Sequence, residues 1–215
     1  MKIAIIGATG FVGTALVNEF TSRGHEITAI ARNPKGNQQA GITWSATDIF
    51  DTDALAEVLK GHDTVVSAYN PGWANPNIYE EALAGSGAIQ KAIKQSGVKR
   101  YIYIGGAGSL YIAEGLQLID TPEFPKEYYA GANAARHYLD TIKKETALDW
   151  VFFSPAIEMH PGIATGRTGQ YRTALDNPVF NAEGKSVLSV EDLSVAIADE
   201  AETPKHHQQR FTAAY

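Results

Sequence analysis

The chain has 215 residues, 44% of them apolar and 20% charged, which is ordinary for a globular protein and long enough to bury a sizeable core. A net charge of −6 with no dense lysine or arginine tract argues against a nucleic-acid-binding surface, and no apolar run approaches the ~18–20 residues that cross a bilayer. Cysteine is absent, which excludes disulfides, thiolate catalysis and thiolate metal sites and fits a cytoplasmic location.

The first apolar run, Ile3-Ala4-Ile5-Ile6, is too short and too soon interrupted to act as a signal peptide. It reads as a buried strand that breaks at Gly7-Ala8-Thr9-Gly10-Phe11-Val12-Gly13 and restarts as a helix. Glycine lets the backbone turn tightly and approach a pyrophosphate without Cβ interference, while the opening helix offers free N–H groups and its positive dipole end. The spacing is G-x-x-G-x-x-G, not the commoner G-x-G-x-x-G; its place between a strand and a helix gives it weight. Val12, Ala15, Leu16 and Phe20 make one apolar helix face, and Gly24 stands where that helix ends. Glu26–Ala31 is the second strand, ending at Arg32-Asn33-Pro34, and completes a β-α-β unit of about thirty residues. At this strand end an NAD-binding protein usually sets a carboxylate against the ribose hydroxyls. Arginine there instead suits a 2′-phosphate, gripped by charge-assisted hydrogen bonds, so NADP(H) is expected in preference to NAD(H).

Ile42 to Thr47 reads as a third strand with Asp48 at its end, followed by a short helix capped by Asp51 or Thr52, carrying Leu55, Val58 and Leu59, and closed by Gly61. Asp63–Tyr69 is the fourth strand and Asn70–Asn77 a loop full of turn residues. A long helix covers roughly Ile78 to Gln95, stopped by Gly97; Arg100–Ile104 is the fifth strand and ends in Gly105-Gly106-Ala107-Gly108-Ser109. After an irregular stretch through Pro125, Lys126 to Thr146 reads as helix and Asp149–Phe153 as the sixth strand. Beyond Pro155, Tyr171–Leu175 with Lys185–Val190 suggests a small strand pair, Ser189 or Glu191 starts a helix through Ala201, and Arg210–Ala214 is a final strand. The expectation is one α/β domain over residues 1–215, a Rossmann-type doubly wound parallel sheet, with 155–190 as a small substrate-side cap. Ligands bind such a sheet over the carboxyl ends of its strands, so Gly7–Gly13, Arg32, Asp48, Ser67–Tyr69, Gly105–Ser109 and Ser154–Pro155 should converge on one rim.

With these motifs the chain resembles the atypical short-chain dehydrogenase/reductase superfamily, and more narrowly the NAD(P)H-binding proteins often called NADH-flavin reductases, related to biliverdin reductase B. The resemblance spans essentially the whole chain. It rests also on Gly105–Leu110, Gly166-Arg167-Thr168-Gly169, Val190-Glu191-Asp192-Leu193-Ser194 and Arg210-Phe211-Thr212. It implies that Thr9, Gly10, Phe11 and Val12 touch the pyrophosphate and Arg32 the adenosine phosphate. Asp48 and Ile49 would border adenine, while Ser67, Ala68, Tyr69, Gly105, Gly106 and Ala107 line the nicotinamide half; Gly7 and Pro155 complete the set. Asp48 serving only its own turn, and Ser67 and Ala68 being plain strand residues, stay open beside these roles.

Typical short-chain dehydrogenases use Tyr-x-x-x-Lys, in which lysine lowers the tyrosine pKa so that the phenol can donate a proton. Here Tyr128 and Tyr129 are followed four residues later by Ala132 and Asn133. A flavin or quinone needs less, because hydride passes directly to an electrophilic ring and the protein's task is positioning. Ser109 and Tyr128 are the candidate catalytic donors, each with an alternative as a turn serine or a packed aromatic. Trp73 and Tyr111 lie in loops where they either cover a flat acceptor or simply pack on the domain, and Arg167 and Arg172 are candidates for an anionic acceptor or for surface pairing. His160 reads as a surface histidine and His206-His207 as a solvated turn, with no metal site expected. A cytoplasmic NADPH-dependent reductase of a flavin, quinone or similar ring is the leading reading, without nucleic-acid or membrane partners. A non-catalytic NADP(H) sensor of the NmrA-like type is the alternative; a nucleotide-sugar epimerase fits poorly, and oligomeric state is left open.

Overall fold

The computed structural model describes residues 1–34 and 40–215. Among them the chain forms β1 (Lys2–Ile6), α1 (Phe11–Ser22), β2 (Glu26–Ala31), β3 (Ile42–Ala46), α2 (Thr52–Leu59), β4 (Thr64–Ser67), α3 (Ile78–Ser96) and β5 (Arg100–Ile104). There follow β6 (Tyr111–Ala113), β7 (Leu116–Gln117), α4 (Lys126–Ile142), β8 (Asp149–Ser154), β9 (Arg172–Ala174), α5 (Val190–Glu202) and β10 (Gln209–Ala214). The main sheet runs β3-β2-β1-β4-β5-β8-β10-β9, parallel throughout except for β9 at the edge. The chain winds outward from β1 through β2 and β3, then returns to the other side of β1 as β4, so the topological switch lies between β1 and β4. This is the Rossmann-like arrangement, a mostly parallel sheet flanked by helices.

Both faces of the sheet are covered, which is why β1 is apolar at consecutive positions rather than alternate ones. Ile3 and Ile5 pack into a core with Leu16 and Phe20 of α1 and Leu193 and Ile197 of α5. Ala4 and Ile6 belong to a second core with Leu55 of α2, Ile89 of α3 and Leu139 of α4. Asp51 caps α2, accepting the Ala54 N–H at 3.0 Å, and Ser189 caps α5, accepting the Asp192 N–H at 3.1 Å. No helix among the described residues is long and apolar enough to cross a membrane.

Three expected boundaries change. The fourth strand stops at Ser67, leaving Ala68 and Tyr69 as the turn beyond it. The fourth helix stops at Ile142 rather than Thr146, because Glu145 is drawn inward as an anchor. Its carboxylate accepts from Gln90 (2.9 Å), Lys94 (2.8 Å) and the Ala147 N–H (2.7 Å), and its carbonyl accepts from the Trp150 indole (3.1 Å). The Lys94 bond, working against burial, holds this carboxyl down to about 2. The third change is the strand pair expected between 171–175 and 185–190. Instead β9 pairs antiparallel with β10, Thr212 opposite Ala174, and Val187 makes only an isolated bridge to Glu158. The open edge of β10 recruits the short strand, so the 155–190 segment is stitched into the main sheet.

Two buried carboxylates tie down the last third of the chain. Glu200, at 4% exposure, meets Arg100 of β5 and accepts from His206 Nδ1 at 2.7 Å and from the Lys205 and His206 N–H groups. His206 lies flat on Phe211, ring centroids 4.4 Å apart. The expected solvated turn is therefore corrected for His206, which is drawn in because a buried carboxylate needs donors; His207 stays exposed against Asp149. At the other end of α5, Asp192 is fully buried and accepts from Thr168 N–H (2.9 Å), Thr168 Oγ1 (2.6 Å), Gly169 N–H (2.7 Å) and the Tyr215 hydroxyl (2.7 Å). Burial pushes its pKa up, but these hydrogen bonds outweigh it and hold the carboxyl below its usual range.

A depressed native pKa adds stability above the unfolded-state value of about 4 that is lost as the pH falls through the native one. Asp192→Asn, which turns an amide N–H₂ toward backbone donors, should cost about 2–4 kcal/mol at neutral pH. It should also flatten the acid limb of the stability curve below about pH 4. Urea unfolding across pH checks both, and an unchanged acid limb would remove Asp192 as its source.

Candidate functional site

The chain leaves β1 through Gly7 at φ +79°, a left-handed conformation that favours glycine. The Gly7 and Ala8 N–H groups both reach the Ile30 carbonyl at the end of β2, at 3.0 and 3.2 Å, and the Gly10 N–H returns to the Gly7 carbonyl at 3.0 Å. A Cβ on Gly7 would lie 2.7 Å from the Ala68 carbonyl oxygen, and one on Gly13 would overlap the Gly7 carbonyl outright. Here β1, α1 and the end of β4 meet backbone to backbone. Helix α1 opens with Gly10 as its N-cap, with no side-chain cap and no acid in its first turn, unlike the Asp51 and Ser189 starts. Its first N–H groups and the partial positive charge of its end thus face the exposed turn at Thr9 and Phe11.

The other expected positions lie along the same rim, at the carboxyl ends of β2, β3, β4, β5 and β8. Arg32 is exposed just past β2. Asp48 uses Oδ1 to accept the Phe50 N–H at 2.9 Å, the local-turn role left open above. Ile49 is 6% exposed and packs into the core with Ile6, Ile30 and Leu55, so only its backbone borders the rim. Tyr69 lays its ring against Gly85 of α3 and donates its hydroxyl to the Glu81 carbonyl at 3.3 Å. Burial pushes the Tyr69 phenol up, Glu81 and Asp48 push the same way and Arg32 opposes them, so Arg32, Asp48 and Tyr69 share one electrostatic neighbourhood. Ser67 is fully buried, and the Ala68 N–H reaches the Ile6 carbonyl at 2.9 Å. Gly105 donates its N–H to the Phe153 carbonyl at 2.8 Å and leaves room for the Phe152 ring; Gly106 faces Ala135, and Ala107 opens a 3₁₀ turn. Pro155 is buried directly behind β8.

The two candidate donors separate. Ser109 does not stand on the open rim: it is 2% exposed, and Arg210 donates to its carbonyl at 2.7 Å and to its Oγ at 3.1 Å. Arg210, 3% exposed on β10 and held also by Asp176, needs buried acceptors and takes the Ser109 turn. Tyr128 is 47% exposed in the first turn of α4, with Ala132 one helical turn on where a lysine would stand. Its ring meets Trp73 edge to face, centroids 5.3 Å apart, and the Trp73 ring lies on Gly131, where a Cβ would approach to 2.7 Å. That seat was not foreseen; the one signal was a glycine inside an alanine-rich helix.

The remaining candidates are committed within the protein. Arg167 makes a two-pronged pair with Glu19, both bonds 2.8 Å, and Arg172 donates to the carbonyls of Phe180 and Tyr215. The His160 ring accepts the Gly162 N–H at 3.1 Å in a local turn, and Tyr111 lies under the Arg210 guanidinium. Also unforeseen was that the Gly166–Gly169 and Val190–Ser194 motifs are partners in space, joined through Asp192 and Thr168. No group of three or more His, Asp or Glu among the described residues is placed to hold a metal ion.

A family model described as NAD(P)H-binding matches residues 7–204. The Bacillus subtilis protein YwnB is 38% identical over 214 residues, covering 99% of this chain and 97% of its own length. The solved structure of a "putative epimerase" from Bacteroides thetaiotaomicron superposes with a TM-score of 0.91 at 44% identity, over 100% of this chain and 96% of the other. That of a "putative NADH-flavin reductase" from Streptococcus pneumoniae gives 0.85 at 34% identity, over 100% and 99%.

The glycine turn makes a direct prediction. Alanine is the better helix former by about 1 kcal/mol, yet Gly13→Ala should destabilise the protein by about 1–3 kcal/mol, because its methyl overlaps a carbonyl that has no room to retreat. Thermal unfolding decides; a higher Tm for the variant would show the contact to be slack.

Proposed function

This chain belongs to the NAD(P)H-binding family, and from that membership we propose that it is an NADPH-dependent reductase passing hydride to a flat conjugated acceptor, a flavin or a quinone. The observation that carries the reading is the backbone contact of Gly7 with Gly13 and Ala68 beneath an uncapped helix start. The turn fits a pyrophosphate, since Gly7 and Gly10 add no Cβ and α1 starts with no side-chain cap and no acid in its first turn. Thr9, Gly10, Phe11 and Val12 hold it through the turn and the first helical N–H groups. Arg32 grips the 2′-phosphate, and on it rests the preference for NADP(H). Asp48 and the Ile49 backbone border adenine; Ser67, Ala68, Tyr69, Gly105, Gly106, Ala107 and Pro155 line the nicotinamide half.

The nicotinamide, when bound, supplies the hydride. The protein's part is to fix the acceptor over the rim and keep the approach short. With Ala132 where typical short-chain dehydrogenases place the lysine of their proton-donating pair, an acceptor that takes hydride without a strong acid is favoured. The likeness to the Streptococcus pneumoniae protein points the same way. The same Ala132, with Ser109 locked by Arg210, also favours a second reading, an NADP(H) sensor whose occupancy controls a protein partner.

Nicotinamide absorbance separates the two: NADPH loss proportional to protein in the presence of riboflavin or a naphthoquinone supports the reductase. Tight NADPH binding with no turnover across such acceptors supports the sensor. Arg32→Asp should weaken NADPH by about 10- to 100-fold, the worth of charge-assisted bonds to a phosphate, while NADH stays within a few-fold. An equal loss for both nucleotides would take Arg32 away from the 2′-phosphate.

A further inference from the structure

Trp73 is 56% exposed, in the loop that follows β4, yet its ring is seated rather than loose. It lies on the bare backbone of Gly131, edge to face with Tyr128, beside Ile78 at the start of α3. The loop beneath it is pinned: the Gly72 N–H donates to Asn70 at 2.7 Å, the Asn77 N–H to Asn75 at 2.9 Å, and Asn75 donates to Glu81 at 2.8 Å. A large, seated indole that is still 56% exposed is a stacking platform for another flat ring. Its seat, Gly131, directly precedes Ala132, whose Cβ faces Gly108 in the turn after β5, next to the Gly105–Ala107 segment proposed for the nicotinamide half.

The charge around the platform has a sign. The first turns of the two helices that flank it, with the residues leading into α4, carry Glu80, Glu81, Glu123 and Glu127 against Lys126 alone. The partial positive charges of the two helix starts offset about one unit of that excess, leaving the mouth negative. Of the arginines after β5, Arg167 pairs with Glu19, Arg210 with Asp176 and Arg136 with Asp120 at 2.8 Å, while Arg172 is tied to the Phe180 and Tyr215 oxygens; Lys126 alone stands beside the four carboxylates. A phosphate monoester carries about −1.5 to −2 charges at pH 7 and would be repelled there.

Resting on the reductase reading, we propose that the acceptor is an uncharged flat ring, a riboflavin-type or quinone-type system without a phosphate, and that Trp73 on its Gly131 seat is the residue that selects it. Flavin mononucleotide, which has the same ring and a phosphate, is the disfavoured isologue.

The test is a binding titration on the NADP⁺-saturated protein, following flavin and tryptophan fluorescence, with NADP⁺ affinity measured first and by itself. Riboflavin should bind about tenfold or more tightly than flavin mononucleotide at low salt, with the gap narrowing as salt screens the mouth. Glu127→Gln should narrow it too. Trp73→Ala should weaken riboflavin about tenfold or more while leaving NADP⁺ within about twofold, and Trp73→Phe should recover most of the loss. Flavin mononucleotide binding as well as riboflavin, or riboflavin indifferent to Trp73→Ala, overturns the proposal; so does NADP⁺ binding with no affinity for either flavin. Riboflavin bound selectively but never reduced would leave the selection standing and sink the reductase reading instead, while absent NADP⁺ binding would sink both.

Discussion

One backbone contact organises this molecule: the Gly7 carbonyl pressed against Gly13, with Ala68 closing on Gly7 from the other side. It forces the first turn of α1 down onto the end of β1 and brings the end of β4 alongside, at the place where the winding of the sheet reverses. Side chains elsewhere can be exchanged for others of similar size, but atoms in this contact have no rotamers to adjust. The opening in front of α1 is a by-product of the same tightness. With no Cβ at Gly7 or Gly10 and no capping side chain, the helix start is left facing the rim.

The far side of the fold is held by different means. Asp192 and Glu200 stand eight residues apart, one near each end of α5, and each is wrapped by several donors. A buried carboxylate tolerates no missing partner, so each sets the path of a distant segment: Asp192 that of the Gly166–Gly169 loop, Glu200 that of the turn before β10. Arg167 adds a third tie from the same loop to Glu19 of α1, whose carboxyl the Arg167 bond holds low. The consequence is that the long excursion after β8 follows the surface of α1 and α5 without a core of its own.

What could be read from residue order was what depends on near neighbours. The strand over Glu26–Ala31, the strand over Arg100–Ile104 and the glycine turn are written in runs of a few residues, and their alternation places the rim as well. What could not be read depends on partners far along the chain. Ser109 is fixed by an arginine 101 positions away, and Trp73 by a glycine on another helix. The end of α4 is decided by Lys94 and Gln90 on α3, against a local helical pattern that runs on. The hairpin of β6 and β7 has strands of three and two residues, too short for an alternating pattern to register. Asp48 shows the opposite limit: residue order places it just past β3, while the work of its carboxylate, accepting the Phe50 N–H, is settled by a single bond that no pattern marks.

The three residues of β9 have a bearing on life in a crowded solution. A long parallel sheet that stopped at β10 would present a row of unmet amide and carbonyl groups to any passing strand, an invitation to fibril-like stacking between copies. Closing that border with a brief reversed strand, two of whose three residues, Arg172 and Thr173, are exposed and polar, leaves little template to copy. The wandering segment that supplies it thereby doubles as a hem on the fabric, keeping the sheet from unravelling into its neighbours.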